Sequence, residues 1–128
     1  MKSKATIAVL CALTLAAAAV SPAFAHHSRA QFDETKTMTL TGTVKRFQWT
    51  NPHIWVDLIV TDPNTGEQVV WAIEGGAAAG LLGIGWTSRS IKADDKAEIV
   101  IHPLRDGKPG GSLVTATVNG EFVGKKFN

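Results

Sequence analysis

The residues of this chain best suited to chemistry are its four histidines, His26, His27, His53 and His102. Imidazole is a common ligand for copper, zinc and nickel, and Cu(II) binds nitrogen sites most tightly among the divalent metals of that series. A histidine at the start of a chain adds its α-amine to its ring nitrogen and so chelates a metal by itself. With a second imidazole it forms a three-nitrogen, roughly T-shaped site similar to a histidine brace. We therefore expect a metal site, with copper as the metal.

The sequence also indicates how His26 becomes a chain terminus. Residues 1–25 have the pattern of a secretory signal peptide, with two early lysines, an apolar run over residues 7–20 and the small residues Ala23 and Ala25 at the end. The apolar run is shorter than the ~20 residues that a membrane-spanning helix needs. We expect cleavage after Ala25, which would leave an exported, periplasmic protein that begins at His26.

Composition limits what the remaining chain can be. Residues 26–128 are long enough for one small domain, and they contain no cysteine, because Cys11 lies in the signal segment. The net charge of +2 comes from the two lysines of that segment. The mature chain is therefore near neutral and lacks the basic field that attracts nucleic acid. We expect neither nucleic-acid binding nor a membrane span after cleavage.

Strand-like runs separated by turn signals fill the chain after a polar arm at residues 26–37. A change of alternation near Lys45 and Arg46 predicts a bulge in the first strand, and Asn119-Gly120 is typical of a two-residue hairpin. A short helix is predicted near residues 77–82. The predicted strands are residues 38–49, 53–61, 67–74, 96–104, 112–118 and 121–127.

Three strands, a short helix and then two or three strands is the order of an OB-fold, a small Greek-key barrel. We therefore predict an all-β, OB-like barrel of five to six strands over residues 38–128. A small antiparallel sandwich is the alternative that this order leaves open.

Six short blocks distributed along the chain are distinctive in sequence. They are His26-His27-Ser28, residues 40–44 (LTGTV), residues 47–53 (FQWTNPH), Trp71-x-x-Glu74, Gly85-Trp86 and residues 102–107 (HPLRDG). Together these blocks resemble one family of small exported bacterial proteins, DUF6152, whose function is unknown. The resemblance implies export and a domain that covers nearly the whole mature chain, but it implies no activity. Family members have a Gly-Asp turn before the fourth strand, where this chain has Ala93-Asp94-Asp95.

Strand topology indicates which histidine completes the metal site. In an OB topology the first strand runs antiparallel to the second and the fourth, so His102 should lie near the start of the first strand, where the arm emerges. His53, at the start of the second strand, should lie at the opposite end. A twelve-residue arm spans roughly 40 Å when extended and reaches either histidine. We expect His102 to be the ligand, and His53 to be structural or part of another site. An arm that nothing ties down is the alternative.

The four tryptophans support a second hypothesis, a non-metal periplasmic binding module that presents aromatic side chains to a small ligand or a partner protein. Trp55 and Trp86 are its candidate ligand-binding residues, and barrel core is the alternative for all four. In the second strand Trp55 shares one face with His53 and Asp57, so it is the tryptophan expected to be partly exposed.

Asp57 and Glu74 occur in otherwise apolar strands. Each is either an outward-facing strand residue or an acceptor that orients a histidine ring. The glycine pairs near residues 75–85 lack the strand-loop-helix context of a phosphate cradle, and no local motif places a nucleophile beside a base. We therefore favour metal carriage or buffering over catalysis, with the metal ion and a periplasmic protein as partners.

Overall fold

The computed structural model describes residues 29–125. The predicted strands and the short helix are present, and the helix lies between the third and fourth strands as predicted. The elements are β1 (Met38–Gln48), β2 (Trp55–Thr61), β3 (Gln68–Glu74), α1 (Ala78–Gly83), β4 (Lys96–Pro103), β5 (Gly110–Val118) and β6 (Glu121–Phe122). Within the described range no helix is long and apolar enough to cross a membrane.

Five strands close into a barrel. β1 lies between β2 and β4 and pairs antiparallel with both, while β2 pairs with β3 and β4 with β5 in the same sense. Residues 72–74 of β3 then pair in parallel with residues 110–112 of β5, which closes the sheet. This connectivity is that of an OB-like Greek-key barrel. The predicted fold is confirmed, and the sandwich alternative is wrong because a single closed sheet replaces two packed ones.

Aliphatic side chains fill the barrel because strand residues alternate between its two faces. In β2, Val56 and Leu58 are fully buried, whereas Trp55 and Asp57 on the outer face are half-buried. This is the division of faces that the sequence predicts. The largest fully buried side chains are Ile54, Leu58, Ile73, Ile91, Ile99, Ile101, Val44 and Val56.

The first strand bends where its alternation changes phase. Its register against β2 shifts between Val44 and Arg46, as predicted for a bulge near that position. The turn before β4 packs against this strand, since the Asp94 N–H donates to the Val44 carbonyl at 2.8 Å. Asp94 has a φ of 71°, a left-handed conformation that Asp tolerates better than most residues. The chain therefore forms this turn with an aspartate in the left-handed conformation.

The last strand is shorter than predicted. β6 is the two residues Glu121–Phe122, joined to β5 through Asn119 and Gly120, both at positive φ. That hairpin is the one the sequence predicts. Beyond it the Lys125 N–H donates to the Ile84 carbonyl at 2.8 Å, so the chain leaves the sheet for the loop after α1. Residues 126 and 127, the last two of the predicted strand, lie outside the described residues.

Gly42 lies where β1 crosses closely over β2. A methyl group on its Cα would collide with the backbone carbonyl of Ile59, which cannot move without breaking the β1–β2 pairing. We expect Gly42→Ala to lower the free energy of unfolding by about 2 kcal/mol or more, as overpacking against a fixed backbone does.

Gly80 is the matched control, because it is exposed in α1 and a methyl group there meets nothing. Gly80→Ala should raise stability by roughly 0.5–1 kcal/mol, through helix propensity alone. Urea denaturation of both variants measures the difference. Equal stabilities would show that the close crossing at Gly42 is not a constraint on the fold.

Candidate functional site

The four candidate metal ligands divide into two pairs. His26 and His27 lie outside the described residues, as does the predicted signal peptide. His53 and His102 are both described and both are partly exposed.

His102 lies beside the start of β1, where the arm meets the barrel. Its ring nitrogen Nδ1 is 2.7 Å from the backbone carbonyl oxygen of Lys36. A carbonyl only accepts hydrogen bonds, so Nδ1 must carry the proton and donate it. In the neutral ring the other nitrogen, Nε2, then holds the lone pair that binds a metal. The position beside the arm is the one that the antiparallel pairing of β1 and β4 predicts.

The arm is fixed to the barrel near His102. Phe32 is only 6% exposed and forms an isolated β-bridge with Leu104. The N–H of Asp33 donates to the Pro103 carbonyl at 2.8 Å. From residue 32 onward the arm is thus held by backbone hydrogen bonds at the end of β4, contrary to the alternative of a segment that nothing ties down.

Asp33 links the arm to its surroundings through its side chain. Its carboxylate accepts a hydrogen bond from the Thr35 hydroxyl at 2.6 Å, and it lies 3.1 Å from the Lys36 ammonium and 3.7 Å from the Arg105 guanidinium. The hydrogen bonds from Thr35 and Lys36 lower the pKa of Asp33 from 3.8 to about 2. The charged carboxylate therefore holds the turn that presents the Lys36 carbonyl to His102.

His53 has the same arrangement with a different acceptor. Its Nδ1 contacts Oε1 of Glu74, whose side chain is 10% exposed, whereas the His53 side chain is 38% exposed. A carboxylate so deeply buried needs a hydrogen-bonding partner, and the imidazole N–H supplies one. The contact fixes the ring and leaves Nε2 available. Of the two roles considered for Glu74, the structure favours the acceptor that orients a histidine.

The strand registers place these residues in one line around the barrel. Gln48 pairs with Trp55, Trp55 with Glu74, Glu74 with Ser112, and Ser112 with His102. Residues that pair directly across strands project from the same face of a sheet. Because their neighbours Val56, Ile73 and Ile101 point into the core, this line faces outward. We call these five residues, from Gln48 to His102, the outer row.

The outer row corrects the expected separation of the two histidines. His53 does lie near the end of β1 and His102 near its start, as predicted. However, Glu74, which holds His53, is only two strands from His102, or about 10 Å at the usual strand spacing. The strands of a closed barrel are staggered along one another. This stagger places residues near the end of β1 and residues near its start in one line of paired residues around the barrel. Both imidazoles therefore belong to one outer face.

Sequence reasoning missed Ser112, Gln48 and the Lys36 carbonyl. The short connections between β1 and β2 and between β2 and β3 limit how these strands can pair. The proximity of Gln48, Trp55 and Glu74 is therefore predictable from the sequence. The pairing of Glu74 with Ser112 joins distant strands in parallel. No local pattern specifies that contact.

The tryptophan candidates are placed differently from each other. Trp55 is half-buried on the outer face, within the outer row. Trp86 is only 4% exposed and belongs to the hydrophobic core, so its ring is covered by protein. Asp57 forms an ion pair with Arg46, its direct cross-strand partner, at 2.8 Å, which gives it the outward-facing structural role. An aromatic ligand surface here therefore depends on Trp55.

Within residues 29–125, no group of three or more His, Cys, Asp and Glu side chains is arranged to hold a metal ion. The described barrel contributes single imidazoles, each with one ring nitrogen bonded to a protein oxygen.

Comparison with known proteins places the chain in a family. The sequence profile of a family of unknown function, DUF6152, matches residues 13–114. The chain belongs to DUF6152. No curated protein and no solved structure matches it significantly. The matched part of this DUF6152 protein contains all four histidines and the whole outer row.

Acid should release the arm at a pH set by Asp33. A lowered pKa means that the charged carboxylate stabilises the folded arm above about pH 4, and that this stabilisation is lost as the pH falls toward 2. We expect the Thr35 amide proton, which bonds to Asp33, to shift with a midpoint near 2 in an NMR titration. Asp33→Asn should abolish that titration.

Asp62 provides the control. Its pKa is also lowered, through backbone hydrogen bonds from Thr65 and Asn64, but it lies in the β2–β3 hairpin. Its protonation should move the amides of that hairpin and leave Thr35 unchanged. A Thr35 midpoint near 3.8, or none between pH 5 and 1.5, would contradict the assigned role of Asp33.

Proposed function

We propose that this DUF6152 protein is an exported carrier or buffer for a transition metal, copper above all. The metal is chelated by the α-amine and ring nitrogen of His26 once the signal peptide is removed. An imidazole on the outer face of the barrel supplies the third nitrogen. The observation that carries the proposal is the hydrogen bond from His102 Nδ1 to the Lys36 carbonyl, which leaves Nε2 as the electron-pair donor.

The arrangement around His102 is that of a metal-binding histidine. Such residues usually donate their second ring N–H to a carboxylate or a backbone carbonyl, which fixes the tautomer and the ring orientation. Here the acceptor belongs to the arm itself. The hydrogen bond from His102 to the Lys36 carbonyl therefore joins the arm that leads to His26 to the imidazole that would share the metal.

Chain length supports the same ligand set. Five residues separate His26 from Phe32, the point at which the arm is fixed beside β4. The segment from His26 to Phe32 spans at most about 20 Å when extended. His102 precedes the Phe32 partner Leu104 by two residues. This length supports His102 as the imidazole of the proposed chelate.

Nitrogen ligands in a T-shaped set suit Cu(II), which prefers tetragonal geometry and binds nitrogen donors more tightly than the other divalent metals of the series. A site that draws its ligands from a terminus and a barrel surface is accessible from solvent. Accessibility favours exchange with a partner protein, and hence carriage, over retention of the metal for turnover.

The test uses the mature chain, residues 26–128, with a native terminus confirmed by mass. Competition with a chromogenic chelator measures its affinity for Cu(II). Replacing both described imidazoles, in His53→Ala with His102→Ala, should lower the affinity at least tenfold, because only the terminal amine and its neighbouring rings remain.

Acetylation of the His26 α-amine is the matched control. It keeps every side chain but removes the amine as a metal ligand, and it should also lower the affinity at least tenfold. Thermal unfolding without metal checks that the variants are folded. Unchanged affinity in the double variant would overturn the folded site, and unchanged affinity after acetylation would overturn the terminal chelate.

The outer row favours a second candidate function, the non-metal binding module. Trp55 presents a half-buried ring between its cross-strand partners Gln48 and Glu74, and Ser112 follows Glu74 one strand further along the outer row. An aromatic face flanked by hydrogen-bonding groups suits a hydroxyl-rich ligand such as a neutral saccharide. The row has no run of cations, so it does not suit nucleic acid.

This candidate predicts a fluorescence response without metal. Neutral oligosaccharides added to the metal-free protein should change the tryptophan emission, and Trp55→Phe should abolish the change. Trp86→Phe is the control and should retain it, since the Trp86 ring is buried. A response that needs copper, or one that survives in Trp55→Phe, would contradict the binding module.

A further inference from the structure

A cavity of about 470 Å³ opens between the loop that precedes β4, residues 87–95, and the β5–β6 hairpin. It lies at the opposite ends of β4 and β5 from His102, because Ala97 pairs with Val118 there. Ala97 and His102 are roughly 17 Å apart along β4 at the usual rise per strand residue. We infer that this cavity binds a small zwitterion, such as a short peptide with free termini. Such a site is distinct from the proposed metal position and does not depend on it.

The two walls of the cavity are joined by hydrogen bonds through Asp95. One carboxylate oxygen of Asp95 accepts from the Lys92 backbone N–H at 2.8 Å, and the other accepts from the Asn119 side-chain amide at 3.0 Å. The Asn119 amide oxygen in turn accepts from the backbone N–H of Lys96 at 3.0 Å. The protein itself therefore holds the loop against the hairpin, which preorganises the cavity between them.

The loop wall carries two cations without a protein partner. Within residues 29–125, neither the Arg89 guanidinium nor the Lys92 ammonium has a hydrogen-bonding or ionic partner. Asp95 on the same loop has both oxygens engaged by N–H groups. The Ser90 hydroxyl oxygen accepts from the Thr87 N–H at 2.9 Å, so its own proton serves another acceptor. Two cations and a hydroxyl donor suit a carboxylate.

The hairpin wall carries the opposite charge. Glu121 lines the cavity from β6, and among the described residues its carboxylate has no hydrogen-bonding or ionic partner. Apolar surface is added by the buried Val118, the half-buried Val123 and Phe122, which is 37% exposed. This wall suits an ammonium group on a ligand with an apolar body.

The balance of charges favours a zwitterion over an anion. The cavity is lined by two cations, Arg89 and Lys92, and two carboxylates, Asp95 and Glu121, so its formal charge is zero. A phosphate or a dicarboxylate would contact the cations but would also bring negative charge close to both carboxylates, which is unfavourable. A zwitterion places one charge at each wall. The volume of about 470 Å³ lies in the range of small-molecule sites and suits a ligand of dipeptide size.

The experiment is an NMR titration of the mature chain with leucyl-leucine and two of its derivatives. The free dipeptide should shift the backbone amides of the two walls, among them those of Ser90, Lys92 and Asn119. Acetylating the amine of the dipeptide removes its positive charge, and converting its carboxylate into an amide removes its negative charge. Each change should weaken binding about threefold to tenfold, as expected for one exposed ionic contact.

Variants show which wall holds each charge of the ligand. Arg89→Gln and Lys92→Gln should each weaken binding of the free dipeptide about threefold to tenfold and leave binding of the amide derivative unchanged. Glu121→Gln should weaken binding of the free dipeptide to a similar extent and leave binding of the acetylated derivative unchanged. Lys108→Gln is the matched control, since Lys108 is an exposed cation in the β4–β5 loop, and it should bind the dipeptide like the wild type.

Three results would overturn the inference. No shift at millimolar dipeptide, or shifts outside the two walls, would exclude the site. Equal affinity for the free and the acetylated dipeptide would make it a site for anions alone. Equal losses in Lys108→Gln and Arg89→Gln would reduce the effect to overall charge. None of these results changes the copper affinity of the mature chain, which tests the proposed function separately, and melting temperatures check that each variant is folded.

Discussion

The parallel pairing of β3 with β5 is the contact on which the arrangement of the outer face depends. It is only three residues long on each strand, residues 72–74 and 110–112, yet it closes the sheet into a barrel. Closure requires the strands to be staggered. Because of this stagger, the start of β2, the end of β3, the start of β5 and the end of β4 lie side by side in one line around the barrel. Without this pairing, Glu74 would lie on an edge strand of an open sheet, three strand spacings from His102 in β4.

That alignment explains why polar and aliphatic residues alternate so strictly near the site. Ile73 and Ile101 occupy the core, and their neighbours Glu74 and His102 must then face outward. Glu74 is nevertheless buried, because His53 covers it. A buried carboxylate on an outer face is costly unless a donor compensates it, so the contact with His53 stabilises the end of β3 and orients the imidazole at the same time.

Much of the fold was accessible from the sequence, since its signals are local. Alternation defined the strands, the phase change near Lys45 defined the bulge, and Asn119-Gly120 defined the last hairpin. The site was accessible only in part. The position of His102 beside the arm follows from antiparallel pairing, but the alignment of Glu74 with Ser112 depends on a parallel contact between distant strands. Exposure could be predicted for Trp55, because the alternation of β2 puts it on the outer face. Trp86 lies outside any strand, so only packing shows that its ring belongs to the core.

The DUF6152 barrel thus presents oriented imidazoles, and the proposed terminal chelate gives them a function. Intact mass of the exported protein, purified from the periplasm without a tag and under native conditions, tests this most directly. We expect a chain that begins at His26 and carries one copper ion through desalting. A chain that begins at another residue, or one that stays metal-free when copper is offered beside a competing chelator, would contradict it.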